Sequence, residues 1–265
     1  MALFRHFRRS VLGALLALLA SGALAEAQEV DLELVLAVDI SRSMDPDELA
    51  LQREGYAAAL THPAVVSAVT RGPLGRIALS YFEWAGPGTY NPILPWRIVE
   101  DETDLAEAAA VLRAAPVRSA LGTSISGAID RAVVLLETNE IQAPRQVIDV
   151  SGDGPNNTGP LVLAARDRAA ALGIEINGLP IMLKEPTGWF SIPDLDLYYQ
   201  ACVVSGEAAF VIPVFERDRL IGAIRQKMVL EIAGLRPPGQ PALQPAASFD
   251  CMIGEKLRRR WENQF

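Results

Sequence analysis

Residues 34–44, LVLAVDISRSM, put an acid at the end of an apolar run and two hydroxyls just behind it. Asp39, Ser41 and Ser43 fall at every second position, a spacing that turns all three side chains the same way in extended chain. A carboxylate closing a buried strand is costly unless a cation meets it. Two more segments offer oxygen and nothing softer: Thr123 in GTSISGAI and Asp153 in SGDG. Two carboxylates and three hydroxyls make a hard donor set, suited to Mg²⁺, Mn²⁺ or Ca²⁺ rather than to Zn²⁺ or copper. Two aspartates balance a divalent ion, so it stays electrophilic and accepts one further anionic ligand.

Positioning these groups requires three loops at one edge. LELVLAVD (32–39) is apolar on both faces over its second half, as a central parallel strand must be. Asp45, Pro46 and Glu48 then open a helix with a cap, a first-position proline and a capping box. RIALSYFEWA (76–85) predicts a strand, GPGTYNPILPW a turn-rich passage, and RIVE a short edge strand. TDLAEAAAVLRAA (103–115) predicts a helix capped by Thr103. Behind the Thr123 loop, Ile125, Ile129, Val133 and Leu136 recur at helical spacing. RQVIDVSGDG (145–154) is a strand ending in an acidic turn, GPLVLAARDRAAAL a helix, and IEINGLPIML (174–183) a strand. AAFVIPV (208–214) is the last strand and RDRLIGAIRQKMVLEIAG (217–234) the last helix. The alternation predicts a doubly wound, Rossmann-like α/β sheet of about six mostly parallel strands with helices on both faces. Sites in such sheets form beyond the carboxyl ends of the strands, where Asp39, Thr123 and Asp153 all lie.

Inventory removes other chemistries. MALFRHFRRS is basic, VLGALLALLASGALA is apolar, and Ala23-Leu24-Ala25 suits cleavage, so residues 1–25 read as a secretory signal peptide. The apolar run falls short of the roughly 20 residues of a membrane span. The mature chain is then periplasmic or secreted, with no membrane span. The leader holds three arginines and no acids, so its loss makes a chain of net charge −8 more acidic still. That charge argues against nucleic acid and anionic membrane as partners. His6 leaves with it, and His62 alone cannot support histidine triads or multi-histidine zinc sites. Cys202 and Cys251, an even pair in an exported chain, read as a disulfide pinning the Pro-rich tail 236–265 to the body. Asn156 and Asn157 read as turn residues, Asp149 and Glu33 as paired structural acids, and His62 as surface. Trp84 and Trp189 fall on the metal side of the sheet, where they either pack loops or flank the partner surface. EKLRRRW is a solvated helix or chain end with no assigned role.

The pattern of DISRS, D-x-S-x-S, resembles the metal-ion-dependent adhesion site of von Willebrand factor A-like domains. GTSISGAI resembles the threonine loop of that family, and SGDG its second-aspartate turn. By that resemblance Asp39, Ser41, Ser43, Thr123 and Asp153 are the metal positions of a domain over residues 30–235. It implies a divalent cation, Mg²⁺ (or Mn²⁺ or Ca²⁺), completed by an Asp or Glu of a partner protein, and a sheet with one antiparallel edge strand. The chain departs from the pattern at Ser126, where the family carries glycine, and at Ser151-Gly152, where a threonine commonly precedes the aspartate. The implied function is a metal-dependent binding module, not an enzyme. The alternatives are a phosphohydrolase-type enzyme and a structural envelope protein with a non-functional site. Haloacid dehalogenase-like phosphatases need D-x-D, and Ser41 stands where the second acid belongs. No P-loop exists, and no complete G-x-G-x-x-G follows the first strand.

Overall fold

Strand β2 (Glu33–Asp39) is buried along its whole length, which requires pairing on both edges and cover on both faces. In the computed structural model, which describes residues 28–239 and 249–264, β2 is the middle of a five-stranded sheet ordered β4-β3-β2-β6-β7. The predicted leader, residues 1–25, lies outside the described residues. Strands β3 (Ile77–Trp84) and β6 (Gln146–Gly152) flank β2 in parallel, with Asp39 opposite Trp84 and Val38 opposite Ser151. Strand β7 (Glu175–Pro180) runs parallel outside β6, and β4 (Tyr90–Val99) antiparallel outside β3. A separate two-stranded ribbon joins β1 (Gln28–Glu29) to β5 (Ile141–Gln142).

Alternation along β2 divides the core into two layers. Leu34, Leu36 and Val38 pack against α1 (Pro46–Leu60), α2 (Pro63–Thr70), α3 (Glu102–Ala114) and α7 (Leu220–Ala233). Val35 and Ala37 face the other way, onto α4 (Ile125–Glu137) and α5 (Val162–Ala171). The doubly wound α/β class expected from the sequence is the class observed. The capping box at α1 also forms: the Asp45 carboxylate accepts from Glu48 N, and the Glu48 carboxylate from Asp45 N, each at 2.9 Å.

Several elements differ from expectation. The GPGTYNPILPW and RIVE segments merge into the single ten-residue strand β4. Its Pro92 and Pro95 are exposed on the outermost strand, where proline is tolerated, and irregular register around Tyr81 absorbs the mismatch. Helix α3 is capped by Asp101, which accepts from Asp104 N at 2.9 Å, two residues earlier than Thr103. Residues 208–214 do not form a regular strand. They run parallel beside β7 through isolated bridges, Gly178 to Val211 and Ile181 to Val214. Ile212 N and Val214 N donate to Gly178 O and Pro180 O at 2.9 and 3.0 Å, but Pro180 has no N–H to return to the segment, so the ladder is interrupted there. Helix α2 was not foreseen; His62 caps it, with Nδ1 accepting from Ala64 N at 3.1 Å. Neither was α6 (Leu195–Tyr198), which runs into a π turn at Tyr199–Val203. EKLRRRW, read as a solvated helix or a chain end, lies in helix α8 (Ile253–Glu262).

Of the two strand acids expected to be paired, Asp149 meets a cation and Glu33 meets amides. On α7, Lys227 is fully buried between Asp149, at 2.8 Å, and Glu231. Burial raises Asp149 above the usual carboxylate range and pushes Glu231 up to about 8, with the Lys227 ammonium opposing both shifts. Glu33 accepts from Asn139 and Gln146. Cys202 and Cys251 form a disulfide with Cα atoms 5.5 Å apart, tying the start of α8 to the π turn.

Candidate metal centre

The chain leaves β2 at Asp39 and the neighbouring β6 at Gly152, and the two exits face each other across the carboxyl edge of the sheet. After β2 the backbone turns tightly, with Ser41 N donating to Asp39 Oδ1 at 2.7 Å. The Ser41 and Ser43 hydroxyls meet at 2.9 Å. Ser43 Oγ donates to Asp153 Oδ1 at 2.6 Å, and Ser41 Oγ to the same oxygen at 3.4 Å. Hydrogen bonds therefore join Asp39, Ser41, Ser43 and Asp153 into one oxygen cluster built from two loops.

Within the cluster negative charge is in excess. Asp39 is fully buried, and its Oδ2 has no hydrogen-bond partner. Burial, reinforced by the Asp153 charge, pushes Asp39 well above the usual carboxylate range. Burial likewise raises Asp153 to about 6 against the opposing hydrogen bond from Ser43. The nearest ammonium, Lys184, bonds to Glu48 Oε2 at 2.5 Å and to Ser43 O at 3.2 Å rather than to either aspartate. Two buried acids and an orphaned oxygen fit a small hard cation. Gly152 permits this approach, since a Cβ there would lie 2.9 Å from Asp39 Oδ2 and 3.0 Å from the Tyr199 hydroxyl. The Ser151-Gly152 departure thus serves close packing. Among the described residues no group of three or more His, Cys, Asp or Glu side chains gathers in metal-like fashion, so hydroxyls must complete any coordination here.

Thr123 reaches the same edge by another route. Its hydroxyl is not the helix cap: Ser124 caps α4, with Oγ accepting from Gly127 N at 3.2 Å. Thr123 N donates to Asn157 Oδ1 at 3.0 Å, and Thr123 O accepts from Asn157 N at 2.9 Å. Its Oγ1 stands 4.0 Å from the position a Cβ on Gly154 would take, beside the Asp153 turn. No bond of its own hydroxyl joins Thr123 to the other four residues; Asn157 brings the loops together.

Asn156 and Asn157 are more than turn residues. Asn156 is fully buried. Its Oδ1 accepts from Ser126 N at 3.0 Å and from Ser126 Oγ at 3.1 Å, while Nδ2 donates to Pro160 O at 3.0 Å. The serine standing where the family carries glycine is thus used to lock the threonine loop. Adjacent amides directly after the acidic turn were the available signal. Trp84 is buried in the core at the strand end, whereas Trp189 is 54% exposed. From Ser43 and Asp153 a groove of about 930 Å³ extends, walled by Met44, Ile181, Ile192, Phe215 and Lys184.

Comparison with known structures places this architecture among von Willebrand factor A domains. The pilus adhesin SpaC from Lactobacillus rhamnosus GG superposes with TM-score 0.60 at 13% identity, over 78% of this chain and 31% of that one. The vWF domain of the type V pili tip protein Mfa5 from Porphyromonas gingivalis gives 0.54 at 11% identity, over 80% of this chain and 98% of that one. Proximal thread matrix protein 1 from the mussel byssus, with a zinc-occupied MIDAS motif, gives 0.52 at 12% identity, over 79% and 49%. This chain spans about a third of SpaC and half of the mussel protein. Likeness at such identities carries the fold and nothing finer. No curated protein matches the chain. A family model described as "Protein of unknown function (DUF1194)" matches residues 29–236.

Proposed function

We propose that this chain, which belongs to the DUF1194 family of proteins of unknown function, is an exported, metal-dependent protein-binding module. The observation that carries the proposal is the buried Asp39–Asp153 pair, with Asp39 Oδ2 unpartnered, at the end of an open groove. Asp39, Ser41, Ser43, Thr123 and Asp153 would hold a divalent cation, Mg²⁺ in the first instance, with Mn²⁺ or Ca²⁺ as substitutes. The ion supplies an electrophilic position for one incoming carboxylate.

The chain's own residues do the rest. Asp39 and Asp153 balance the ion's charge, and the neutral hydroxyls of Ser41, Ser43 and Thr123 add donors without repelling an acidic visitor. The visitor is an Asp or Glu of a partner protein, and Met44, Ile181, Ile192 and Phe215 offer the adjoining partner surface apolar contact. We place the binding domain at residues 30–235 and the tail at 236–265, in the periplasm or outside the cell. Among the described residues no helix is long and apolar enough to cross a membrane.

Titration of the purified chain with Mg²⁺, Mn²⁺ and Zn²⁺ tests the ion. Wild type should bind, while Asp39→Ala and Asp153→Ala should each lose binding and keep their circular dichroism. Undiminished binding in either variant would put the ion elsewhere. Capture of a partner from envelope extract should vanish on chelation and in Asp153→Ala. Phosphatase turnover lost in Asp39→Ala would favour the hydrolase alternative instead.

A further inference from the structure

Helix α8 lies beyond residue 236, where the family match ends, yet it packs on the turn that carries Asp153. Gly254 makes the contact: a Cβ there would sit 2.0 Å from Asn156 O and 2.7 Å from Asn156 C, so only glycine fits. One residue on, Glu255 Oε1 accepts from Asn156 Nδ2 at 2.8 Å. The other end of that amide, Oδ1, holds Ser126 by N and Oγ. A three-residue relay, Glu255 to Asn156 to Ser126, thus joins the C-terminal helix to the threonine loop through the aspartate loop.

Two further contacts fix the helix in place. The disulfide from Cys251 reaches Cys202 in the π turn. Just before that turn, the Tyr198 hydroxyl accepts from Asn156 N at 3.1 Å, and its ring meets Phe249 edge-on at 6.0 Å. Residues 198–202 and 249–255 therefore grip Asn156 from two sides.

We propose that residues 249–255 are a clasp on the cation site and that Glu255 is a positioning residue. Resting on the cation role proposed above, Glu255 fixes the Asn156 amide so that the Thr123 loop and the Asp153 loop keep the separation one ion requires. Outer partners of metal ligands commonly set affinity in this way.

The test uses the full, disulfide-bonded chain and Mn²⁺ alone, followed by calorimetry and by hydrogen exchange at residues 123–126. Glu255→Ala should weaken Mn²⁺ binding about tenfold and speed exchange in the Thr123 loop. Glu255→Gln keeps an oxygen for Asn156 Nδ2 and should bind within about twofold of wild type. Gly254→Ala, which drives the helix off the turn, should behave like Glu255→Ala, and the exposed control Glu262→Ala like wild type. Equal Mn²⁺ affinity in wild type and Glu255→Ala would overturn the clasp and leave the cation site standing. Equal losses of affinity and melting temperature in the Gln and Ala variants would reduce Glu255 to structural support and overturn the positioning role. Wild type that binds no ion would overturn the site itself, and unchanged exchange in Glu255→Ala would refute the relay independently.

Discussion

Asp153 carries a charge that its surroundings resist. Its raised value, about 6, lies above the roughly 3.9 of an unfolded aspartate. The sign follows. Below both values the acid is protonated in either state and stability is unaffected. As pH climbs from about 4 through 6 the unfolded chain ionises more readily, and the cation-free fold loses on the order of 3 kcal/mol. Chelated protein should therefore melt lower at pH 8 than at pH 5, and Mn²⁺ should restore it. Asp153→Asn should reduce that pH dependence, leaving the share of Asp39 and Glu231, and abolish the Mn²⁺ effect, both read from thermal melts. A melt equally pH-dependent in Asp153→Asn would assign the penalty to another group. At this scale the oxygen cluster was legible, because a two-residue period fixes side-chain direction without knowledge of the fold. Asn156 and Asn157 were not, because an amide does not disclose partners 30 and 34 positions away.

Helix α7 is attached to the sheet by a charge that has no access to water. Replacing Lys227 with methionine would leave Asp149 and Glu231 facing each other without a cation. The expected cost is about 3–5 kcal/mol, as for other buried pairs deprived of one member, measured by urea unfolding. A loss under about 1 kcal/mol would mean that the two acids share a proton comfortably in the fold. The sequence pointed to a partner for Asp149, and only the packing of α7 supplied its name. Other elements were hidden for physical reasons. Prolines at 92 and 95 mimic a turn, although an outermost strand needs few donors and admits them. The segment at 208–214 is apolar enough for a strand, and Pro180 of β7 lacks the N–H that would continue its ladder. Helix α2 is short and starts from a histidine cap, which lies outside the usual capping residues.

Across the whole molecule, the Cys202–Cys251 bridge closes a 49-residue separation, which on chain-entropy grounds contributes about 4 kcal/mol. The double variant Cys202→Ala/Cys251→Ala should lose a comparable amount in denaturant unfolding; no change would mean that the noncovalent grip of α8 suffices. The pairing was readable from cysteine count alone, but the seat of α8 was not, since its arginine-rich sequence resembles any solvated helix. The margins of the sheet have an effect of their own. On one side β4 exposes Pro92 and Pro95, and on the other the segment beside β7 holds Pro213. Neither border presents an unbroken line of amide hydrogens, so a stranger's backbone finds no template on which to zip. Amyloid-like stacking is disfavoured at both flanks, and molecules that associate with this one are steered toward its loops and helices.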